Sequence, residues 1–278
     1  MKRYAYILSL LMFMLSCVPD PKPSRDMLVV EGWIEDNDYP IVFVTSSITS
    51  TFREQGLTDI MDHLALDAEV KITYAGKSYQ LFPKLDPNYL MTIYYTTKNL
   101  KGKVGGTYRL DVNWRGLHAS GTTTIPEHGS IDSIAVERNK SIDTLYVVKA
   151  HIVPTPSEHR YYRFFTQVIG QDKAYTASVN GLYDSELVRE EDMIFANRGY
   201  SNPLDSVQTY YQLGDSVHVK LASMDSDSYR FWSKYNENIM FGSLAIMPYS
   251  TNLEGNLDGA LGYFAGYATD VYKIRVRE

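Results

Sequence analysis

Cysteine is nearly absent from this chain of 278 residues, because Cys17 is the single one. One cysteine excludes an intrachain disulfide, so the fold must depend on its packed core. Beyond the N-terminus, the chain also lacks an apolar run long enough to span a bilayer as a helix. The composition therefore predicts a folded body with its own core, and neither a disulfide scaffold nor a bundle of membrane helices.

Positive charge is in the minority, with 27 Lys and Arg residues against 33 Asp and Glu residues and a formal net charge of -6. An acidic balance argues against nucleic acid as the partner, because phosphate backbones recruit cationic surfaces. Nucleotide-binding glycine loops and the Gly-x-Ser-x-Gly turn of many hydrolases are also missing. We expect no nucleic-acid partner and no cofactor.

The histidines are scattered along the chain. None has another histidine two, three or four residues away, so no compact zinc signature is present. Only residues that are distant in the sequence could converge on a metal, and we expect no metal site. The six are His63, His118, His128, His151, His159 and His218.

Two short segments deserve comparison with catalytic motifs. Gly214-Asp215-Ser216 is similar to the nucleophile block of a family of serine esterases, but it lies between two β runs and is better interpreted as a turn. Glu190-Glu191-Asp192 offers adjacent acids, which point to opposite faces of a strand and cannot both flank one glycosidic bond. We therefore expect no catalytic residues and no enzyme.

The N-terminus has the features of an export signal. Lys2 and Arg3 precede a mostly apolar run, and the small Ser16 stands directly before Cys17. This pattern predicts a signal peptide over residues 1–16, cleavage before Cys17 and lipidation of that cysteine. An ordinary secretory signal or a membrane anchor with a chance cysteine is the alternative interpretation.

Residues 17–26 contain three prolines and no apolar pattern, which predicts an extended spacer between lipid and fold. Residues 27–127 then form short alternating runs separated by Gly and Pro turns, for example Val70–Tyr74 and Thr107–Trp114. Such spacing is typical of an immunoglobulin-like β-sandwich. We predict that residues 128–278 form a second β-sandwich-like domain, so the fold class is all-β.

One segment of this second domain breaks the β pattern. Asp225-Ser226-Asp227 is a cluster of helix-capping residues, and Tyr229, Trp232 and Ile239 follow at helical spacing. The spacing predicts one short helix near the C-terminus, at about 227–240.

Tyrosine is unusually frequent, with 23 residues. Three adjacent pairs, Tyr94-Tyr95, Tyr161-Tyr162 and Tyr210-Tyr211, are expected to place one ring on each face of a strand, with at least one ring of each pair exposed. An exposed ring suits contact with a sugar or a protein. For any single ring a structural role is favoured, and the ligand-binding residues are left open.

A series of segments in fixed order resembles a known family, the uncharacterised lipoproteins called domain of unknown function 4249, typical of Bacteroidetes-type outer membranes. The resemblance covers essentially the whole mature chain, although the insertion of Asp258-Gly259-Ala260 departs from the family's tighter glycine-rich end. The segments that carry it are 29–34, 68–74, 106–110, 122–126, 161–163, 214–217, 229–232, 252–256 and 261–267.

The resemblance implies a two-part β body and a neighbouring TonB-dependent transporter, and it brings no catalytic residues. We therefore expect an outer-membrane lipoprotein that acts as an accessory or ligand-binding partner of such a transporter in nutrient uptake. A surface adhesin or glycan-binding module without a transporter is the first alternative, and a hydrolase is the second. The spacer after Cys17 leaves open which face of the outer membrane the body occupies.

Overall fold

A computed structural model describes residues 27–47, 63–89, 91–153, 159–187, 192–199, 209–242 and 253–277. The expected signal peptide (1–16), the lipidation site Cys17 and the spacer to residue 26 lie outside the described residues and stay predictions. In the described part of the chain, no helix combines the length and the apolar character needed to cross a membrane.

Strands account for most of the described residues, and one helix lies near the C-terminus, which confirms the all-β prediction. In chain order the strands are β1 (Leu28–Glu35), β2 (Ile41–Ser46), β3 (Glu69–Tyr74), β4 (Lys77–Leu85), β5 (Ile93–Thr96), β6 (Thr107–Trp114), β7 (Leu117–Thr124), β8 (Ile131–Arg138), β9 (Leu145–Ile152), β10 (Tyr161–Val168), β11 (Thr176–Asp184), β12 (Ile194–Phe195), β13 (Tyr211–Gln212), β14 (Ser216–Met224), β15 (Leu257–Asp258) and β16 (Ala260–Arg275). The helix is α1 (Ser226–Gly242).

Twelve of these strands form one long sheet in the order β11-β10-β14-β16-β1-β2-β5-β4-β3-β6-β7-β15. The pairing of β1 with β16 is parallel, with Leu28 opposite Ala260 and Glu35 opposite Tyr267. The other pairings along the sheet are antiparallel. The chain therefore returns at its end to add a strand beside its first one.

The first core lies between strands β1 to β7 and the start of β16. Alternate residues of β1 point into it, and Leu28, Val30 and Ile34 are fully buried. The long sheet curls so that β7 approaches β16: a Cβ on Gly266 would lie 2.9 Å from the Ile125 nitrogen. This curl closes a sandwich around the first core.

The Asn256 side chain links the two strands that close the sandwich. Its Nδ2 donates to the carbonyl oxygens of Thr122, at 3.0 Å, and of Phe264, at 2.8 Å. Its Oδ1 accepts a hydrogen bond from the Phe264 amide at 2.9 Å. One side chain thus joins β7 to β16.

The second core lies between a smaller sheet and the other end of the long sheet. In the smaller sheet β9 pairs with β8 along one edge and with β12 and β13 along the other. Its inward residues, such as Val148 and Ala150, pack against Phe164 of β10 and Leu221 of β14. This is the second sandwich-like body.

Strand β16 contributes to both cores. Phe264 lies in the first core, whereas Ile274 packs against the second. Leu257 of β15 also lies in the first core, although it follows the second body in the sequence. The division of the chain near residue 127 stays a prediction, and the structure adds that a C-terminal segment packs with the N-terminal strands.

Helix α1 begins where the capping residues predicted it. The Asp225 Oδ1 accepts a hydrogen bond from the Ser228 amide at 2.7 Å, and the Tyr229 amide bonds to the Asp225 carbonyl at 3.1 Å. The helix covers the face of the long sheet that points away from the second core, where Phe231 packs against Tyr263 with ring centroids 4.9 Å apart. The predicted helix at about 227–240 is confirmed.

Candidate functional site

An open groove of about 400 Å³ lies on the outer face of the smaller sheet. Its floor comes from β8, β9 and β12. Glu137, Lys149 and Phe195 point away from the second core because strand residues alternate between faces, whereas Arg138 is paired with the core residue Tyr146 and lies over its ring. Its volume falls in the range of small-ligand sites. Its lining residues are Glu137, Arg138, Asn139, Lys140, Ser141, Val147, Lys149, Phe195, Asn197 and Tyr210.

Lys149 is at the centre of the floor. Its Nζ lies 2.7 Å from Glu137 Oε2 and 5.2 Å from the centroid of the Phe195 ring. Phe195 is opposite Lys149 in the β-ladder, and its side chain is 45% exposed. The Lys149 ammonium therefore lies over an aromatic ring that is partly exposed.

Backbone hydrogen bonds and two tyrosine hydroxyls hold the short strand β12 in place. The Ala196 amide donates to the Val148 carbonyl at 2.9 Å, and the Tyr211 hydroxyl donates to the Ala196 carbonyl at 2.7 Å. The Tyr183 hydroxyl donates to the Phe195 carbonyl at 3.3 Å, and burial raises the Tyr183 pKa to about 12. The Phe195 ring is thus presented from a fixed backbone.

The rim of the groove is a turn organised by Asn139. Its Oδ1 accepts hydrogen bonds from the amides of Ser141, at 2.8 Å, and Ile142, at 3.0 Å. Such a bond pattern stabilises a turn without help from other elements. The loop that carries Lys140 is therefore ordered beside the groove.

A second charged feature lies under helix α1. The Arg163 guanidinium is buried on β10, 3.9 Å from the centroid of the Trp232 ring. Burial lowers the Arg163 pKa, and Tyr267 and Glu31 oppose that shift. The Trp232 Nε1 donates to the Tyr267 hydroxyl at 3.1 Å. These contacts fix the helix to the sheet.

Glu31 is open to solvent although many protein atoms surround it. Burial among these atoms raises the pKa of its carboxyl, and the Arg163 charge opposes the shift. The Glu31 carboxyl therefore combines access to solvent with a crowded protein environment.

A third ionic contact lies on the same sheet. The Lys220 Nζ is 2.8 Å and 3.0 Å from the two Glu35 carboxylate oxygens, and it lies 4.3 Å from the centroid of the Tyr175 ring. Both side chains are mostly buried. A buried pair of this kind costs much stability when one partner is removed, so we assign it a structural role.

One group of side chains has the composition of a metal site. His159, Asp184 and Glu186 offer ligand atoms that all lie within 4.8 Å of one another. Both ring nitrogens of His159 are already engaged, Nε2 at 2.6 Å from Asp184 and Nδ1 at 3.4 Å from Glu186. An imidazole bound between two carboxylates explains the cluster, and the expectation of no metal site stays a prediction.

The structure explains the segments that the sequence offered as catalytic motifs. Gly214 adopts a positive φ of 91° in the turn before β14, and the Asp215 Oδ2 accepts a hydrogen bond from the Gln212 amide at 2.8 Å. The turn interpretation of 214–216 is therefore confirmed. Glu190 and Glu191 lie outside the described residues.

The expectation for the tyrosine pairs was wrong in one case. Tyr94 and Tyr95 are both buried, because Tyr94 packs edge-on to Phe43 on one face while the Tyr95 hydroxyl bonds to the Ala68 amide on the other. In the pair 210–211, Tyr211 is buried, whereas Tyr210 is half-buried and lines the groove.

Sequence reasoning missed the rest of the groove. Its floor combines residues 137, 149 and 195, which strand pairing brings together from three segments. One signal in the sequence could have indicated the groove. Phe195 is apolar but stands between Ile194 and Ala196, which are buried, so its side chain points to the outer face.

Comparisons with known proteins match this chain to solved structures and to a protein family. The crystal structure of chicken CNTN1 FN1–FN3 domains is 9% identical, with a TM-score of 0.23. The match covers 90% of this chain and 63% of that one. A TM-score this low supports no inference about the fold or the function of this chain. A search among curated proteins found no match. The profile of "Domain of unknown function (DUF4249)" matches residues 16–273, and the chain therefore belongs to the DUF4249 family.

Proposed function

We propose that this protein is a lipid-anchored binding protein of the outer membrane that works with a TonB-dependent transporter in nutrient uptake. The observation that supports binding is the groove, where an exposed aromatic ring, an ammonium group and an ordered polar rim face solvent together. Such a surface offers a ligand both an apolar contact and hydrogen-bonding partners.

Binding is favoured over hydrolysis by the chemistry of the groove. Glu137 is the one carboxylate among its lining residues, and its partner is Lys149 at 2.7 Å. Hydrolysis of a glycosidic bond by the usual route needs two carboxylates on opposite sides of the bond. We therefore propose that the groove holds its ligand without changing it.

The proposed lipid anchor at Cys17 is tested by metabolic labelling with a fatty acid. Cells that express the tagged protein are fed a radioactive or clickable fatty acid, and the purified protein is examined for label. Label on the wild type and its loss in Cys17→Ser are expected. An unlabelled wild-type protein would contradict the anchor.

The transporter partnership is tested by co-purification in mild detergent from the native host. We expect an outer-membrane transporter to be recovered with the wild type, with no dependence on Phe195. Recovery of the protein alone, together with retained ligand binding, would favour the second candidate function, a glycan-binding surface module without a transporter. The exposed Phe195 ring supports that candidate, because sugars stack on aromatic faces.

A further inference from the structure

The edges of the two sheets differ in how well they can accept another strand. The long sheet ends at β15, which has two residues, and at β11, whose ladder to β10 is irregular between Ala177 and Leu182. The smaller sheet ends on one side at β12 and β13, with two residues each, and on the other side at β8, with eight. Short or bulged edges resist pairing with another chain. Among the described edges, β8 is therefore the one best suited to a further strand.

Strand β8 is protected as an edge only at its beginning. Residues 131–138 include no Pro, Gly or Lys, the residues that usually block an edge, and a bulge interrupts the ladder before Ser133. The middle residues Ile134, Ala135 and Val136 are half-buried. In the described part of the chain, β9 is the one strand that pairs with β8. A regular segment from Ser133 onward therefore has an open side.

The hydrogen bonds of the smaller sheet identify the backbone groups on that open side. The Asn139 amide donates to the Leu145 carbonyl at 2.8 Å, and this pair continues the register of β8 with β9. Alternate residues of an antiparallel strand bond to a given neighbour, so the odd-numbered residues of β8 bond to β9. The amides and carbonyls of Ile134 and Val136 point to the open side, where no backbone group of the described residues bonds to them.

This segment is complementary to a second copy of itself. When two β8 strands run antiparallel with a two-fold axis at Ala135, Ile134 of each copy stands opposite Val136 of the other. Both residues have free backbone groups, so the two pairs exchange hydrogen bonds. Both side chains also pack against the second core, so the pairing sets apolar groups beside each other. The small Ala135 side chain allows the two strands to approach closely at the axis.

The charges of β8 favour this antiparallel direction. Asp132 stands near one end of the strand and Arg138 at the other. Antiparallel pairing brings these unlike charges to the same end of the contact, whereas parallel pairing brings like charges together. Ser133 stands opposite Glu137 of the second copy. No two like charges therefore stand directly opposite each other.

We propose that β8 is a homodimer interface, at which two copies of this chain join their smaller sheets through antiparallel β8 strands centred on Ala135. The contact goes beyond the proposed function and does not depend on a ligand in the groove. Because Lys149 is opposite Ala135, the Lys149 residues of the two copies are three strand spacings apart, about 14 Å. The two grooves then lie side by side on one continuous sheet.

Cysteine cross-linking tests the contact and its register. The two Ala135 residues form a pair without mutual hydrogen bonds, with Cα atoms about 4.5 Å apart, a distance that suits a disulfide. Residues 17–278 are produced with Cys17→Ser, which leaves no other cysteine. In this background, Ala135→Cys should form a disulfide-linked dimer under mild oxidation. Ser133→Cys should not cross-link with itself, but it should cross-link with Glu137→Cys.

Sedimentation measures the strength of the contact. Val136→Pro removes an amide that bonds to the second copy and leaves the ladder to β9 intact, because that amide points to the open side. Dimerisation should weaken by about thirtyfold, since the symmetric contact loses two hydrogen bonds. Val136→Thr is the matched control, because it keeps the amide and the branched side chain, and its dissociation constant should stay close to that of the wild type.

Several results would overturn the interface. A wild type that sediments as a monomer at about 1 mM is one, and the absence of Ala135→Cys dimers is another. Self-cross-linking of Ser133→Cys as readily as Ala135→Cys would exclude the axis at Ala135. Equal dimerisation of folded Val136→Pro and Val136→Thr would move the contact away from β8, and if Val136→Pro does not fold, the cross-linking result decides. The tests of the anchor, the transporter and the groove are independent of these results.

Discussion

The Arg163 guanidinium of β10 lies 3.9 Å from the centroid of the Trp232 ring on helix α1. A buried cation that packs on an aromatic face needs that face, because an arginine without a partner in the interior is costly. Trp232 also donates to the Tyr267 hydroxyl at 3.1 Å. Besides the packing of Phe231 on Tyr263, helix α1 is therefore joined to the sheet by a tryptophan that provides both a ring face and a hydrogen bond.

Replacing Trp232 by alanine should loosen the helix from the sheet. The change removes a large partly buried ring and uncovers Arg163, so we expect the free energy of unfolding to fall by about 3 kcal/mol. Chemical denaturation followed by circular dichroism measures the effect. Arg230→Ala on the same helix is the control, because Arg230 and its partner Asp227 are exposed and its loss should cost about 0.5 kcal/mol or less. Equal losses in the two variants would contradict the assigned role of Trp232.

The elements that the sequence predicted well are those with local causes. Helix α1 follows from a capping aspartate and from aromatic residues at helical spacing, and both act within a few residues. The hairpin of β3 and β4 follows from alternation and from a turn at Ala75-Gly76, where both residues have positive φ.

The features that the sequence did not reveal depend on distant contacts. Nothing near residues 28–35 indicates that their partner is the segment 260–267, because parallel pairing can join any two strands of suitable character. β11 was missed although it spans Thr176–Asp184, since Asn180-Gly181 interrupts its alternation and has the composition of a turn. The groove depends on β12 meeting β9, a further long-range pairing.

The parallel pairing of β1 with β16 requires a glycine at position 262. This residue has φ +109°, and a Cβ there would lie 2.0 Å from the Val30 carbonyl oxygen. Gly262→Ala combines backbone strain with a collision against a central strand. We expect a loss on the order of 3–5 kcal/mol in the free energy of unfolding.

Gly76 provides the matched control for that substitution. It also has positive φ, at +76°, but a Cβ there would meet nothing within 4 Å. Gly76→Ala should therefore cost only the conformational strain, about 1–2 kcal/mol. Urea denaturation of both variants checks the difference. If Gly262→Ala lowered the free energy of unfolding by no more than Gly76→Ala, β16 would not approach β1 as closely as described.

The raised pKa of Glu31 predicts an unusual dependence of stability on pH. Because burial raises the pKa of the folded-state carboxyl above the ordinary value of 4.5, the unfolded chain ionises first as pH rises. The wild type should lose this contribution to stability as pH rises from 4.5 through the folded-state pKa. Glu31→Gln cannot ionise, so its stability relative to the wild type should increase over the same range.

Glu69→Gln is a control of opposite sign. The hydrogen bond and the charge of Lys71 lower the Glu69 pKa, so its contribution is present above pH 4.5 and is lost as pH falls. Relative to the wild type, this variant should therefore lose stability as pH rises. Denaturation curves between pH 4 and pH 7 measure both trends. Parallel trends in the two variants would contradict the raised pKa of Glu31.

Ionisation of the Tyr183 hydroxyl should affect stability at high pH, and the same hydroxyl bonds to the backbone of the groove residue Phe195. Burial raises its pKa from 10.0 to about 12, so the unfolded chain releases this proton first. The stability that the neutral hydroxyl provides is complete below pH 10 and is lost as pH rises to about 12. Tyr183→Phe should cost about 1 kcal/mol at neutral pH, through loss of the bond to the Phe195 carbonyl.

The difference in free energy of unfolding between the wild type and Tyr183→Phe should then shrink between pH 10 and about pH 12. The wild type loses stability over this range, whereas phenylalanine has no proton to release. Alkaline denaturation of variant and wild type checks this narrowing. Tyr272→Phe is the control, since Tyr272 is exposed on β16 and its replacement should leave the neutral-pH stability unchanged. A constant difference across the whole pH range would show that the Tyr183 hydroxyl is not buried against β12, and would remove one of the contacts that hold the Phe195 ring in the groove.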